Sequence, residues 1–276
     1  MTGAADQKTA DAFARSWNNL PPGSVYSQAQ FEDWLAPLRP ADVTGRRVLE
    51  LGCGGGSLLV HMADWHPAML IGVDLGDSVA AAERNLAAVG VTTSHIVRHD
   101  LVTYRDASAF DVVYCIGVLH HLRDPRAGFA SVLTNTAPGG RFHCWVYAHE
   151  GNGLVRTLVE PLRRVASRLP WWITKYALAT PLVVPFFAYA KLLRWLGWPA
   201  LRVLPLHDYS LWIAARDFAF FRHVAFDQLV TPHTVYLRRS TVEAWLRDPL
   251  IEMGSTYLVF RNGNSWKFGG RRRTAD

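Results

Sequence analysis

Val48-Leu49-Glu50-Leu51-Gly52-Cys53-Gly54-Gly55-Gly56 is the stretch that decides the fold. Arg47–Leu51 reads as a buried strand and Ser57–Ala63 as the start of a helix, with glycines at 52, 54 and 56 between them. Glycine permits a tight strand-to-helix turn and close approach of a ligand to the backbone. The spacing E-x-G-x-G-x-G differs from the G-x-G-x-x-G of dinucleotide sites, and there is no P-loop lysine, so the turn suits a pyrophosphate poorly. Asp74 ends the next apolar run, 18 residues after Gly56. A carboxylate there is placed to accept hydrogen bonds from ribose hydroxyls.

Outward from this turn the pattern alternates. Strands are expected at Leu70–Val73, His95–Arg98, Asp111–Ile116 and Arg141–Tyr147. Asp77 or Ser78 is placed to cap a helix running to about Val89, which Gly90 stops. Asp124 followed by Pro125 opens another, to about Asn135, and Pro138–Gly139–Gly140 reads as a turn. Strands separated by helices of this length imply crossover connections and a parallel sheet. Residues 1–40 read as a helical lead-in. Phe13 and Trp17 share a helix face, a turn follows at Pro21–Pro22–Gly23, and a second helix carries Phe31, Trp34, Leu35 and Leu38. Residues 41–150 form the α/β core. Residues 151–239 read as inserted helices interrupted at Pro161, Pro170, Pro181, Pro185, Pro199 and Pro205. Residues 240–276 complete the core. There Ser240 and Glu243 form a capping-box pair, and strands Ile251–Phe260 and Ser265–Phe268 flank the turn Asn262–Gly263–Asn264.

Composition narrows the classes. Half of the 276 residues are apolar and 19% are charged, ordinary values for a globular chain with a sizeable core. No signal peptide is visible in residues 1–20. The charge-free run Tyr176–Ala190 is shorter than a bilayer span and contains two prolines, so no transmembrane helix is expected. Cys53, Cys115 and Cys144 are odd in number and unpaired in spacing, which suits buried reduced thiols in a cytoplasmic protein. His61 and His66 lack accompanying ligands, so no metal is expected. The net charge of +6 favours anionic partners. Arg271–Arg273 read as a solvated end, and nucleic acid is an unlikely partner without a wider basic stripe.

VLELGCGGG, IGVDLGDS, RHDL, FDVVYCIGVLHHLRDP and APGGRF occur in the order and spacing of class I S-adenosylmethionine-dependent methyltransferases. The chain resembles that family strongly over about residues 45–150. The resemblance implies a Rossmann-like, mostly parallel seven-stranded sheet with helices on both faces, and a helical lid inserted after strand five. It implies S-adenosylmethionine as cofactor, with Glu50, Gly52, Cys53, Gly54 and Gly56 bordering its amino-acid end. Asp74 and Leu75 would hold the ribose, Asp100 and Leu101 the adenine, and Cys115 and Ile116 the methionyl portion. In some relatives with an LHH segment one histidine serves as general base, which makes His120 and His121 the catalytic candidates. The absence of an Asn/Asp-Pro-Pro-Tyr segment argues against adenine in DNA or protein glutamine as acceptor.

The acceptor is less legible. His149 and Glu150 follow strand five, and strand C-termini are where such sheets bind ligands. Arg216 is placed to hold an anionic group, Asp227 or Tyr236 to orient the acceptor, and Tyr26 to close over the cofactor. The expected function is methyl transfer to an oxygen or nitrogen of a small, partly apolar metabolite. Three rivals stand beside it: a lipid-like acceptor reached at a membrane surface through the aromatic, basic stretch 171–198, a binding protein without turnover, and RNA modification through the basic tail.

Overall fold

The computed structural model describes residues 4–18, 26–91, 94–204, 206–231 and 233–274; the side chains of residues 4–6, 15–18, 223 and 227 lie outside the description. The expected turn at Pro21–Gly23, the Trp17 side chain and Pro205 therefore fall outside it. The chain divides into two compact units. The first comprises residues 1–147, 233–259 and 266–276, and the second residues 148–232 and 260–265.

The first unit is built on a seven-stranded sheet of order β3-β2-β1-β4-β5-β7-β6. Its strands are β1 (Arg47–Leu51), β2 (Met69–Asp74), β3 (Ser94–Arg98), β4 (Phe110–Ile116), β5 (Thr136–Tyr147), β6 (Tyr257–Arg261) and β7 (Ser265–Arg271), the last two contributed in part by the second unit. β1 to β5 are parallel, with Leu51 opposite Val73, Asp74 opposite Arg98 and Ile116 opposite Trp145. β7 runs antiparallel to β5, because Gly139 and Arg272 pair at one end and Ala148 and Asn264 at the other. Asn262 and Gly263, both at positive φ, make the tight turn joining β6 to β7; the Asn264 N–H closes it on the Arg261 carbonyl at 3.1 Å.

Each face is covered by apolar helix stripes. α2 (Gln28–Leu35) and α4 (Ser57–Ala63) bury Phe31, Trp34, Leu35, Leu59 and Met62 with Val48, Val112, Tyr114 and Ile116. On the other face α6 (Pro125–Asn135) places Phe129 against Phe142 and Phe268, and Trp245 of α11 (Arg239–Trp245) stacks on it at 5.4 Å. Asp124 caps α6 by accepting from the Arg126 and Ala127 N–H groups, with Pro125 in the first turn as the sequence suggests. α1 (Ala4–Asn18), α3 (Pro40–Val43) and α5 (Val79–Ala88) complete the unit.

Four local expectations are corrected. Pro138–Gly139–Gly140 is not a separate turn but an irregularity inside β5, where the register with β4 jumps between Phe110 and Val112. Ser78 does not cap α5, because its hydroxyl is donated to Asp74 at 2.8 Å. The Ser240–Glu243 capping box does not form. α11 begins two residues earlier, with Arg238 in the N-cap position, and Glu243 instead accepts from Arg239 Nε at 2.7 Å. Arg271 and Arg272 are not part of a loose basic tail: Arg271 closes β7, and Arg272 donates to the Thr134 and Thr136 carbonyls.

The second unit contains α7 (Glu160–Ala166), α8 (Thr180–Leu196), α9 (His207–Ala214) and α10 (Phe218–Val230). Pro161 and Pro181 do not interrupt it. Each lies in the first turn of its α-helix and is preceded by a π-helical segment, Val155–Val159 or Ile173–Ala179. Proline has no N–H to give to the i−4 carbonyl, and the widened turn upstream carries the helix past it. Pro185 lies inside α8. The continuous helix Ile173–Leu196, 24 residues, is therefore long and apolar enough to cross a membrane by length and composition, where the sequence suggested a segment too short. Val183 and Ala190 of α8 pack with Ile213, Ala214 and Phe221.

The last carbonyls of α2 need partners that the helix cannot supply. Two buried side chains of the sheet provide them: Lys267 Nζ donates to the Asp33 carbonyl at 2.6 Å, and His143 Nε2 to that of Trp34 at 2.7 Å. A carbonyl only accepts, so His143 Nε2 carries the proton and Nδ1 accepts from the Tyr257 hydroxyl at 2.6 Å. Burial pulls the His143 pKa from its ordinary 6.5 down to about 4. The unfolded chain therefore binds the extra proton first, and the histidine's contribution is complete above about pH 6.5 and lost as pH falls toward 4. The loss amounts to about 3 kcal/mol at roughly 1.4 kcal/mol per pKa unit. Glu50, held up at about 8, acts in the opposite sense. The histidine's part is therefore read as the difference between wild type and His143→Gln, whose amide can keep both hydrogen bonds. We expect that difference in urea-unfolding free energy to vary between pH 4 and 6.5; parallel curves would show that His143 does not titrate with folding.

Candidate functional site

The parallel strands end at one edge of the sheet, and the glycine turn after β1 lies there. Gly52, Gly54 and Gly56 all have positive φ, of 83°, 52° and 74°. The Gly52 and Cys53 N–H groups donate to the Val73 carbonyl at 2.7 and 3.1 Å, extending the ladder past the end of β1. Asp74 then fixes the turn. Its Oδ2 accepts from the Gly54 N–H at 2.9 Å, and its Oδ1 accepts from the Gly76 N–H at 2.9 Å and from Ser78 Oγ. From α5, Asn85 Nδ2 donates to the Gly55 carbonyl at 2.8 Å. The turn is thus held from both neighbouring elements before any ligand arrives.

Glu50 lies beneath it, 2% exposed, with Oε2 accepting from the Tyr114 hydroxyl at 3.0 Å. Burial raises its carboxyl from 4.5 to about 8; the Tyr114 hydrogen bond opposes that shift and the Asp74 charge adds to it. A cationic ligand group nearby would favour the ionised form. Cys53 is buried against the same core, and its thiol is held protonated by burial. Leu75 is half-buried. Asp100 follows β3, where its Oδ1 accepts from the Val102 N–H at 2.9 Å, with Leu101 buried beside it. Cys115 and Ile116 end β4, adjacent in the strand and so on opposite faces of the sheet. Ile116 joins the core beneath α2 and α4, while the Cys115 thiol is fully buried and held protonated. α1 runs over this edge, with its Ala10 carbonyl 2.9 Å from where a Gly76 Cβ would stand.

His120 and His121 form a 3₁₀ turn after β4, and both are buried. The segment 233–237 crosses them: the Val235 N–H donates to the His120 carbonyl at 2.7 Å and the Leu237 N–H to that of Tyr147 at 3.0 Å. His121 Nδ1 lies 3.0 Å from the His233 carbonyl and 3.2 Å from Thr234 Oγ1. Because the carbonyl only accepts, Nδ1 carries the proton and Nε2 is the basic nitrogen. Rings surround the pair. Phe13 of α1 lies 5.1 Å from His121, Tyr147 4.1 Å from His120, and Tyr236 stacks on Tyr147 at 6.0 Å. Trp145 continues the row to Trp34, on which Tyr26 packs edge-on at 4.7 Å.

Tyr26 and Tyr236 thus belong to the aromatic wall. His149, Glu150 and Arg216 belong to the second unit. The Arg216 guanidinium lies 4.1 Å over the Trp212 ring and donates to the Trp212 carbonyl. Asp227 lies within α10, not in the loop before α11, and its side chain is outside the described residues. Asn85, Phe13, Trp34, Trp145, Tyr147 and Thr234 went unread as site residues in the sequence. The i, i+2 spacing of Trp145 and Tyr147 at a strand end was the signal available for two of them. Among the described residues no group of three or more His, Cys, Asp or Glu is placed to hold a metal.

The donor set fits a nucleoside sulfonium. Carboxyl groups stand at or just past the ends of three adjacent strands and no phosphate-binding lysine accompanies the turn, an arrangement for hydroxyls and positive charge. Residues 25–200 match a family model described as a methyltransferase domain. A ubiquinone biosynthesis O-methyltransferase from Paraburkholderia phymatum is 34% identical over 142 residues, covering 50% of this chain and 59% of that protein. The chain spans about half the length of the curated relatives it matches. The fold is that of an N-methyltransferase from Bradyrhizobium japonicum WM9 in complex with S-adenosyl-L-homocysteine, with TM-score 0.53, 14% identity and coverage of 96% of this chain and 99% of that one. It is also that of magnesium protoporphyrin IX methyltransferase from Synechocystis PCC 6803, with TM-score 0.51, 12% identity and coverage of 95% and 84%.

The glycines make a graded test. A Cβ at Gly52 would lie 2.4 Å from Val118 Cγ2, whereas one at Gly45, also at positive φ, meets nothing within 4 Å. Gly45→Ala should cost only the left-handed strain of about 1–2 kcal/mol. Gly52→Ala should cost a further 1–3 kcal/mol or so for overpacking. Urea midpoints check this, and equal losses would contradict the packing account.

Proposed function

Because the chain belongs to the methyltransferase-domain family, we propose that it transfers a methyl group to an oxygen or nitrogen of a small, partly apolar acceptor. S-adenosylmethionine is the cofactor, and when bound it supplies an electrophilic methyl group on a positively charged sulfur. Glu50, Asp74, Leu75, Asp100, Leu101 and the glycine turn are the residues that would hold it, with Cys115 and Ile116 at the β4 end.

The observation that carries the acceptor reading is His121, whose Nδ1 proton is fixed by the His233 carbonyl within a wall of aromatic rings. Nε2 is thereby oriented as a base. Nε2 would take the proton that the acceptor's oxygen or nitrogen gives up on receiving the methyl group. Phe13, Tyr147 and Tyr236 exclude water and offer flat apolar surface, which suits a ring-bearing acceptor. The O-methyltransferase relatives favour a hydroxyl, the acceptor type that gains most from a base.

A second reading, a lipid-like acceptor reached at a membrane surface, is favoured by the exposed Trp195 and Trp198 of the second unit. A third, cofactor binding without turnover, predicts S-adenosylhomocysteine binding and no transfer to any acceptor.

The test is transfer of labelled methyl from S-adenosylmethionine to a panel of phenols, catechols and aryl amines. His121→Gln should lower kcat by about 10²–10⁴-fold while leaving S-adenosylhomocysteine affinity unchanged. An unchanged kcat would remove His121 as base, and an inert wild type with intact binding would favour the third reading.

A further inference from the structure

The second unit is unlike an ordinary surface domain in two independent ways. The first is its exposed apolar bulk. α8 buries Val183, Ala190 and Leu193, but Val184, Leu192 and Trp195 on its other side stand open, Trp195 with 80% exposure. Trp171, Trp172, Tyr176 and Trp198 (61%) are exposed as well. Only 22% of the most apolar stretch of Ile173–Leu196 is buried. Exposed apolar bulk of this extent along one helix marks a partner or a membrane.

The second is charge. Residues 151–206 hold eight basic residues, from Arg156 to Arg202, and one acid, Glu160, whereas the whole chain carries a net +6. Over the whole unit eleven basic residues stand against five acids, a net +6 equal to that of the chain, although Arg163 is itself buried and paired with Glu160. Arg164 and Arg168 are exposed, and the Lys175 ammonium lies about 6 Å from the ring centroids of the exposed Trp171 and Tyr176 and 5.7 Å from that of the buried Phe226. Tryptophan and tyrosine with basic residues at the boundary of an apolar face is the composition of a membrane–water interface. A protein partner would need an acidic face of matching shape, whereas an anionic bilayer supplies the charge and the apolar depth together.

The same residues settle the mode. One side of α8 is committed to Ile213, Ala214 and Phe221, and Lys191 and Arg194 near its end both donate to the Ala214 carbonyl. Spanning would drag α9, with His207 and Asp208, into hydrocarbon at a cost of several kcal/mol for each unsatisfied polar group. We propose that the second unit docks on an anionic phospholipid bilayer by laying the Trp171–Trp198 helix in the plane of the interface, without crossing it. The inference stands on the second unit alone and does not rest on the methyl-transfer reading.

Flotation of the full chain with vesicles tests it. The chain should float with vesicles containing phosphatidylglycerol and at least about tenfold less with pure phosphatidylcholine. Arg164→Gln/Arg168→Gln should weaken binding by about tenfold or more, at about 1 kcal/mol per basic residue. Trp195→Ser/Trp198→Ser should abolish flotation with thermal unfolding unchanged, since both side chains are exposed. Alkaline carbonate should release the bound chain. Failure to float, equal binding to neutral vesicles, or a wild-type dimer that the tryptophan variant makes monomeric would overturn the docking; resistance to carbonate would overturn the in-plane mode.

Discussion

The three hydrogen bonds accepted by Asp74 organise the site-bearing half of the molecule. One carboxylate at the end of β2 takes the Gly54 N–H from the turn after β1, the Gly76 N–H from its own loop and the Ser78 hydroxyl at the start of α5. Bonds to a charged acceptor contribute roughly 1.5–3 kcal/mol each, so the turn is shaped at small entropic cost when a ligand binds. Asn85 returns from α5 to the Gly55 carbonyl and closes the ring. A carboxylate has about four lone-pair directions, so one that also meets ribose hydroxyls must share them with the turn. With Asp74 on the ribose, cofactor binding and loop order would be coupled through this one side chain.

The proposed acceptor side rests on a different device. The segment 233–237 pairs its backbone with the His120 and Tyr147 carbonyls, which holds the histidine turn against the end of β5. The His233 carbonyl fixes the His121 tautomer, and α1 brings Phe13 from more than a hundred residues away in sequence. Beneath, the buried His143 and Lys267 satisfy the last carbonyls of α2, the helix that sets Trp34 and, through it, Tyr26. The wall is therefore anchored to the sheet through hydrogen bonds, with aromatic packing filling the space between.

Local rules made the core legible. The β1 run, the glycine turn, Asp74 and the Asp124–Pro125 start are set by neighbours within a few residues, and alternation of strand and helix carried the sheet. What escaped depends on partners distant in sequence. Ser78 reads as a cap until Asp74 claims its hydroxyl, and Glu243 reads as half of a capping box until Arg239 takes it. Prolines read as breaks at 161 and 181 because a π turn has no sequence signature comparable to a cap. Thr234 and Phe13 carry no motif at all, and only the fold brings them to His121.

The central claim is that the Asp74-held turn receives S-adenosylmethionine and not a dinucleotide. Calorimetric titration of S-adenosylhomocysteine and, separately, NAD into wild type and Asp74→Ala tests it most directly. The account predicts that S-adenosylhomocysteine alone binds wild type and that Asp74→Ala weakens it by about a hundredfold, the equivalent of one or two lost hydrogen bonds to a charged group. Preferential binding of NAD, or an affinity for S-adenosylhomocysteine untouched by the substitution, would contradict it.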